Sequence, residues 1–192
     1  MPKANPAAFE FLQTRRSRPA KTLTLPIPDR SVVETLLTLA ARSPDHGKLE
    51  PWRFIVLARD ALLRLGAAVP ETGAALGKDA EQIAKMKAQF DTAHLVIAVV
   101  ATPRPTEKVP EIEQVLSAGA VCLALVNAGL AAGWGANWLT GWASHDRDFV
   151  ERHLGLNPDE FVAGFIHLGT ETQTPPERPR PNVPAITAWI DA

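Results

Sequence analysis

The segment from Ser117 to Gly133 constrains this chain more than any other. It is apolar, crowded with Ala and Gly, and followed by a glycine placed to end a helix. A helix with so little side-chain bulk lets other backbones approach closely. The helical reading runs from about Pro110 to Ala132. Its length and the interruption at Asn127 fall short of the roughly twenty apolar residues that a bilayer span requires. The segment therefore reads as a buried central helix. Cys122, the only cysteine, lies in its apolar run Val121-Cys122-Leu123-Ala124-Leu125 and reads as a small buried residue; it has no partner for an intramolecular disulfide.

The elements around this helix alternate between helical and extended patterns, which favours one sheet with helices packed on it. Asn5-Pro6 suits a helix start, and Ala8, Phe9 and Leu12 fall on one side of a helix running to about Arg16. A second helix is expected from Pro28-Asp29 to about Arg42, with Ser31 and Glu34 as a capping box. Trp52–Leu57 and His94–Ala101 read as strands, with helices over about 60–68 and 79–89 between them. Gly135-Ala136-Asn137-Trp138 reads as a short strand or turn, followed by a helix near 145–154 and a strand over Phe161–Leu168. Residues 1–169 form one domain. From Thr170 the chain changes character, with five prolines (Pro175, Pro176, Pro179, Pro181, Pro184) and then Ile186, Trp189 and Ile190. Residues 170–192 are thus expected to form an extended arm docked on a surface, that of a second subunit, or else a flexible PxxP-type ligand for another protein.

The net charge of -1 hides an asymmetry. Residues 1–53 hold nine Lys/Arg and five Asp/Glu, whereas the remainder holds eleven and sixteen. Overall neutrality argues against a general nucleic-acid binder, and the basic first third suits a small anionic ligand or, equally, a solvated face. The N-terminus lacks the apolar stretch of a secretory signal, so a cytoplasmic protein is the default expectation. No phosphate loop, nucleophile elbow or paired metal-binding histidines occur, and the five histidines are scattered, with His94 and His167 in expected strands and structural. Gly133-Trp134-Gly135 begins like a dinucleotide fingerprint, but Trp138 stands at the third glycine position and a helix precedes it. An enzyme of this composition needs a borrowed organic cofactor.

Arg15-Arg16-Ser17 places two fixed cations and a hydroxyl together at a helix end. Arginine forks suit phosphate oxygens, although paired arginines also complement a helix dipole. Arg42-Ser43-Pro44-Asp45-His46 then precedes Pro51-Trp52 and the first long strand, and the Ala/Gly-rich helix leads to Gly135-Ala136-Asn137-Trp138. The order and spacing of these segments, from residue 9 to about 169, resemble the nitroreductase family of FMN-dependent oxidoreductases, most of all the compact bacterial NAD(P)H nitroreductases.

The resemblance implies an α+β fold with a small, mostly antiparallel central sheet flanked by helices, in an intertwined homodimer with FMN at the interface. Arg15 and Arg16 would meet the FMN phosphate and ribityl chain, with Ser17 hydrogen-bonding beside them. Arg42 and His46 would come from the other subunit, and Trp138, Leu139 and Thr140 would back the flavin. Ala128, Gly129, Leu130, Ala131, Ala132 and Gly133 correspond to a segment associated with nicotinamide dinucleotide in compact relatives. Many family members carry Lys or Arg two residues after the serine. Pro19 stands there in this chain, with Arg18 or Lys21 as its substitute. Arg178 or Arg180 would supply a further basic group to the phosphate. Asp45-His46-Gly47-Lys48 departs from the usual Ser-x-x-Asn loop. The implied reaction passes hydride from NADH or NADPH through the flavin to an electron-poor small molecule such as a nitroaromatic or quinone, with no metal, membrane or nucleic acid involved. Dehalogenation, enone reduction, oxygen-dependent flavin consumption and a non-enzymatic flavin-binding or adaptor role are the alternatives.

Overall fold

In a computed structural model, which describes residues 3–190, the Ala/Gly-rich segment is the helix α5 (Glu111–Ala131). Its 21 residues are long and apolar enough to cross a membrane, contrary to the expectation from its length and Asn127. Its packing identifies it as a core helix instead. Ala118, Val121, Cys122 and Leu125 are fully buried, with α2 (Arg30–Ala40) beside them and the sheet beneath. Gly129 allows the closest approach, since a Cβ there would lie 2.8 Å from Leu168.

The sheet is antiparallel throughout. Strand β3 (Leu95–Ala101) lies between β2 (Trp52–Ala58) and β5 (Phe161–Glu171), and all seven of its residues are buried. The short strands β1 (Leu23–Thr24) and β4 (Gly135–Leu139) also pair with β5. Successive side chains of a strand point to opposite faces. Leu95, Ile97 and Val99 accordingly meet α2 and α5, while Val96, Ala98 and Val100 join a second core with α3 (Arg59–Ala75), α4 (Ala80–Asp91) and α7 (Arg147–Leu154). In that second core Phe90 stacks on Phe149 at 6.2 Å and meets Phe165 edge-on at 5.6 Å. Below it, Arg53 forks onto Glu160 with two bonds of 2.8 Å, and the Asn157 N–H donates to the same carboxylate. These bonds, led by those from Arg53, hold the Glu160 carboxyl below the usual carboxylate range.

Several boundaries differ from the sequence reading for local reasons. The capping box of α2 does not form from Ser31 and Glu34. Asp29 caps the helix by accepting from Val32 N, Ser31 donates to Asp29, and Glu34 pairs with Arg30. A carboxylate already stands at the true N-cap, two residues earlier than expected. Helix α3 continues through Pro70 to Ala75, because Gly66 and Gly73 let α4 and the short helix α6 (Trp142–His145) pack closely along its length. Asp146 caps α7, so that helix starts two residues later than expected. His94 precedes β3 instead of lying within it. Helix α1 (Pro6–Thr14) begins as expected at Asn5, but Phe9 and Leu12 are 65% and 63% exposed and bury nothing.

Beyond Glu171 the arm makes little use of its own chain. Val183, Ile186, Trp189 and Ile190 are 60–87% exposed. The division into 1–169 and 170–192 falls inside β5, whose Thr170 and Glu171 still pair with Thr24 and Leu23. The first two and last two residues of those ranges lie outside the described residues.

Candidate anion and cofactor site

Helix α1 ends at Thr14, so Arg15 is its C-cap and Arg16, Ser17 and Arg18 form the loop beyond it. That loop is stitched to β4: the Arg18 N–H donates to Ala136 O at 2.9 Å and the Asn137 amide donates to Arg18 O at 2.5 Å. Arg18 Nε lies 2.5 Å from a Glu171 carboxylate oxygen on β5. Its guanidinium is thereby committed to the sheet end. Lys21 is exposed on the far side of Pro19. Of the two basic residues expected near the serine, Arg18 is thus engaged by Glu171, while Lys21 has no ion pair among the described residues.

Arg15 and Arg16 differ from Arg18. Arg15 donates to Ser17 Oγ at 3.1 Å, and Arg16 reaches Pro176 O on the arm at 3.5 Å. The Nε–H groups of both are buried and have no hydrogen-bond partner among the described residues. Burial, and then the like charges of Arg180 and Arg16, hold the Arg15 pKa below its ordinary value. Arg180 on the arm therefore adds its charge to this group, while its own Nη2 rests 2.7 Å from Glu177. Neither Arg178 nor Arg180 is among the residues that line the cleft, and Arg180 acts on Arg15 through its charge. Three cations with two unsatisfied buried donors are costly in isolation and suited to a dianion. The phosphate of FMN fits this donor set.

The arginines open into a cleft of about 280 Å³ that Phe11, Leu130, Gly133, Trp134 and Glu171 also line. The end of α5 thus meets the arginines, yet its composition has a packing explanation. Ala128 and Gly129 are buried, Ala131 and Ala132 are exposed, and Gly133 takes a φ of 85° while Trp134 N closes on Gly129 O. A left-handed residue is required there to end the helix.

Trp138 sits on the α5 side of the sheet, 39% exposed, with Nε1 donating to Ala163 O at 3.2 Å. Its seat is Gly164, where a Cβ would stand 2.1 Å from the indole nitrogen. Leu139 is half-buried behind it and Thr140 is exposed. Gly164→Ala is expected to eject the indole and to lower stability by about 2 kcal/mol, as over-packing does. Thermal unfolding and near-ultraviolet circular dichroism of the variant would check this.

Arg42 and His46 are exposed and do not line the arginine cleft of their own protomer. The His46 ring instead approaches α5, with Nδ1 2.6 Å from Glu113 Oε2. Glu113, Gly164, Asn137 and Glu171 escaped the sequence reading. Only Glu113 carried any local signal, as an acid in the first turn of a helix.

The family model described as the nitroreductase family matches residues 12–170. The chain is 34% identical over 163 residues to "Putative NAD(P)H nitroreductase YdjA" of Escherichia coli (strain K12), covering 85% of this chain and 87% of that protein. Its fold is similar to a nitroreductase-like family protein from Bacillus cereus, with a TM-score of 0.80 at 20% identity and complete coverage of both chains. It is also similar to a Desulfovibrio desulfuricans nitroreductase solved in complex with FMN, with a TM-score of 0.74, 20% identity and coverage of 99% and 100%.

Proposed function

The chain belongs to the nitroreductase family of oxidoreductases, and we propose that it holds FMN in the arginine cleft and passes electrons from NADH or NADPH to an electron-poor small molecule. The observation that carries this reading is the pair of buried, unpartnered Nε–H groups of Arg15 and Arg16, with Arg180 beside them. Bound there, FMN would supply the redox chemistry that links the nicotinamide to a quinone or nitroaromatic acceptor.

The chain's own part is positioning and charge. Arg15 and Arg16 grip the phosphate, with Ser17 fixing the Arg15 fork. The Asn137 and Arg18 backbone bonds tie that grip to the sheet edge from which Trp138 extends, so phosphate and ring are referred to one rigid frame. Ile112, Leu116 and Leu123 are 48–65% exposed on the outer side of α5, as are Phe9 and Leu12 of α1. Such an apolar surface suits burial against a second copy of the chain, with the arm wrapped on it. In that homodimer Arg42 and His46 serve the flavin of the partner. The cytoplasm is the compartment that supplies these reductants.

The test is titration of the purified protein with FMN, followed by anaerobic addition of NADH or NADPH. Flavin binding at a stoichiometry of one per chain and bleaching of the yellow colour are expected, with quinone restoring it. A protein that takes up no flavin, or whose bound flavin neither nucleotide bleaches, would sink the reading.

A further inference from the structure

Helix α5 does more than fill the core, because two side chains one turn apart on it hold the loop that carries His46. Glu113 Oε2 lies 2.6 Å from His46 Nδ1, and Ser117 Oγ donates to Pro44 O at 2.6 Å. We propose that Glu113 is a positioning residue for His46: its carboxylate accepts a hydrogen bond from Nδ1–H, fixes that tautomer, and leaves Nε2 as the nitrogen offered to the flavin. The inference rests on the reading of this chain as an FMN oxidoreductase and adds a residue to it.

An exposed histidine–carboxylate contact alone would mean little, and these side chains are 60% and 45% exposed. The backbone around them is what shows a built arrangement. The Asp45 carboxylate accepts from the N–H groups of both Leu49 and Glu50, at 3.2 and 2.7 Å. Gly47, Lys48 and Glu50 all have positive φ, at 74°, 53° and 47°. Two of these, Lys48 and Glu50, are not glycine, so the chain holds an unfavourable conformation at two positions within three residues. Such strain persists only where surrounding contacts over-determine the backbone. Here the contacts come from Asp45 within the loop and from Ser117 and Glu113 outside it.

A histidine ring whose Nδ1–H is bound to a carboxylate has its tautomer and plane fixed together. The alternative role for Glu113 is complementing the dipole at the first turn of α5, where Glu111 also lies. That role would not involve the ring of His46 at all. The two roles are therefore separable.

The experiment uses FMN-loaded protein with ¹⁵N-labelled histidine, and His46→Asn identifies the His46 signals. Long-range proton–nitrogen correlation is expected to find Nδ1 protonated in the wild type, the same tautomer in Glu113→Gln, and its loss in Glu113→Ala. FMN is expected to bind roughly five-fold more weakly to Glu113→Ala. In the His46→Asn background the Glu113→Ala substitution should add nothing, since it acts through the ring. A wild-type ring protonated at Nε2 alone, or fully additive losses in the double variant, would overturn the role of Glu113 while normal FMN binding kept the enzyme reading intact. A wild-type protein that binds no FMN would overturn both.

Discussion

Replacing Arg15 and Arg16 together by alanine is expected to weaken FMN binding by at least about a hundred-fold while leaving the flavin-free protein as stable as before, or slightly more so. Each charge-assisted hydrogen bond to phosphate is worth about 1.5–3 kcal/mol, and each 1.36 kcal/mol is a factor of ten, so two lost forks give about two decades or more. The stability half of the expectation comes from the pKa of Arg15, which burial and the charges of Arg180 and Arg16 push below its ordinary value. A cation whose pKa falls on folding is held in an environment that disfavours its charge, and at neutral pH it stays charged there. Removing it relieves that cost and sacrifices only the bond to Ser17 and the weak one from Arg16 to Pro176. Flavin fluorescence titration and thermal unfolding of the apoprotein check the two halves independently. A large loss of apoprotein stability with unchanged FMN affinity would make these arginines structural.

The sequence exposed those features whose cause is local. The central helix, the strands over Trp52–Ala58 and Leu95–Ala101, and the Asn5-Pro6 start of α1 follow from periodicity and capping, and the structure contains them. The arginine pair stands out in the sequence because its residue types suit an anionic ligand. What escaped depends on tertiary neighbours. Arg18 and Arg15 look alike in sequence, and only the pairing of β1 with the end of β5 brings Glu171 to Arg18 and commits that guanidinium to the sheet. Gly164 sits in a strand with no turn to explain it, and its reason is an indole 26 positions earlier in the chain. Glu113 and His46 are 67 positions apart and share no motif. The exposed stripe of α1 was read correctly as a stripe, but nothing among the described residues covers it.

Acidification from pH 6.5 to 4 is expected to remove about 3 kcal/mol of stability through His167 alone. This side chain is 2% exposed on β5, with Val96 and Asn137 as its cross-strand neighbours and an Nε2 that has no partner among the described residues. Burial pushes its pKa down from 6.5 to about 4. Above pH 6.5 the ring is neutral in both the folded and the unfolded chain and has no linked effect. Below it, the unfolded chain takes up a proton that the folded one refuses, so unfolding is favoured progressively until about pH 4, where the folded ring also protonates. Glu160 acts in a different window: its carboxyl is held below the ordinary value of 4.5, so its contribution is complete above that pH and is lost as pH falls beneath it. The two groups therefore titrate in sequence, histidine first. Chemical denaturation at half-unit pH intervals should give a stability slope between pH 6.5 and 4 that disappears in His167→Leu, leaving only the carboxylate-driven loss at lower pH. A variant that keeps the wild-type slope across that interval would show that the ring is hydrated, or finds a partner, in the folded protein.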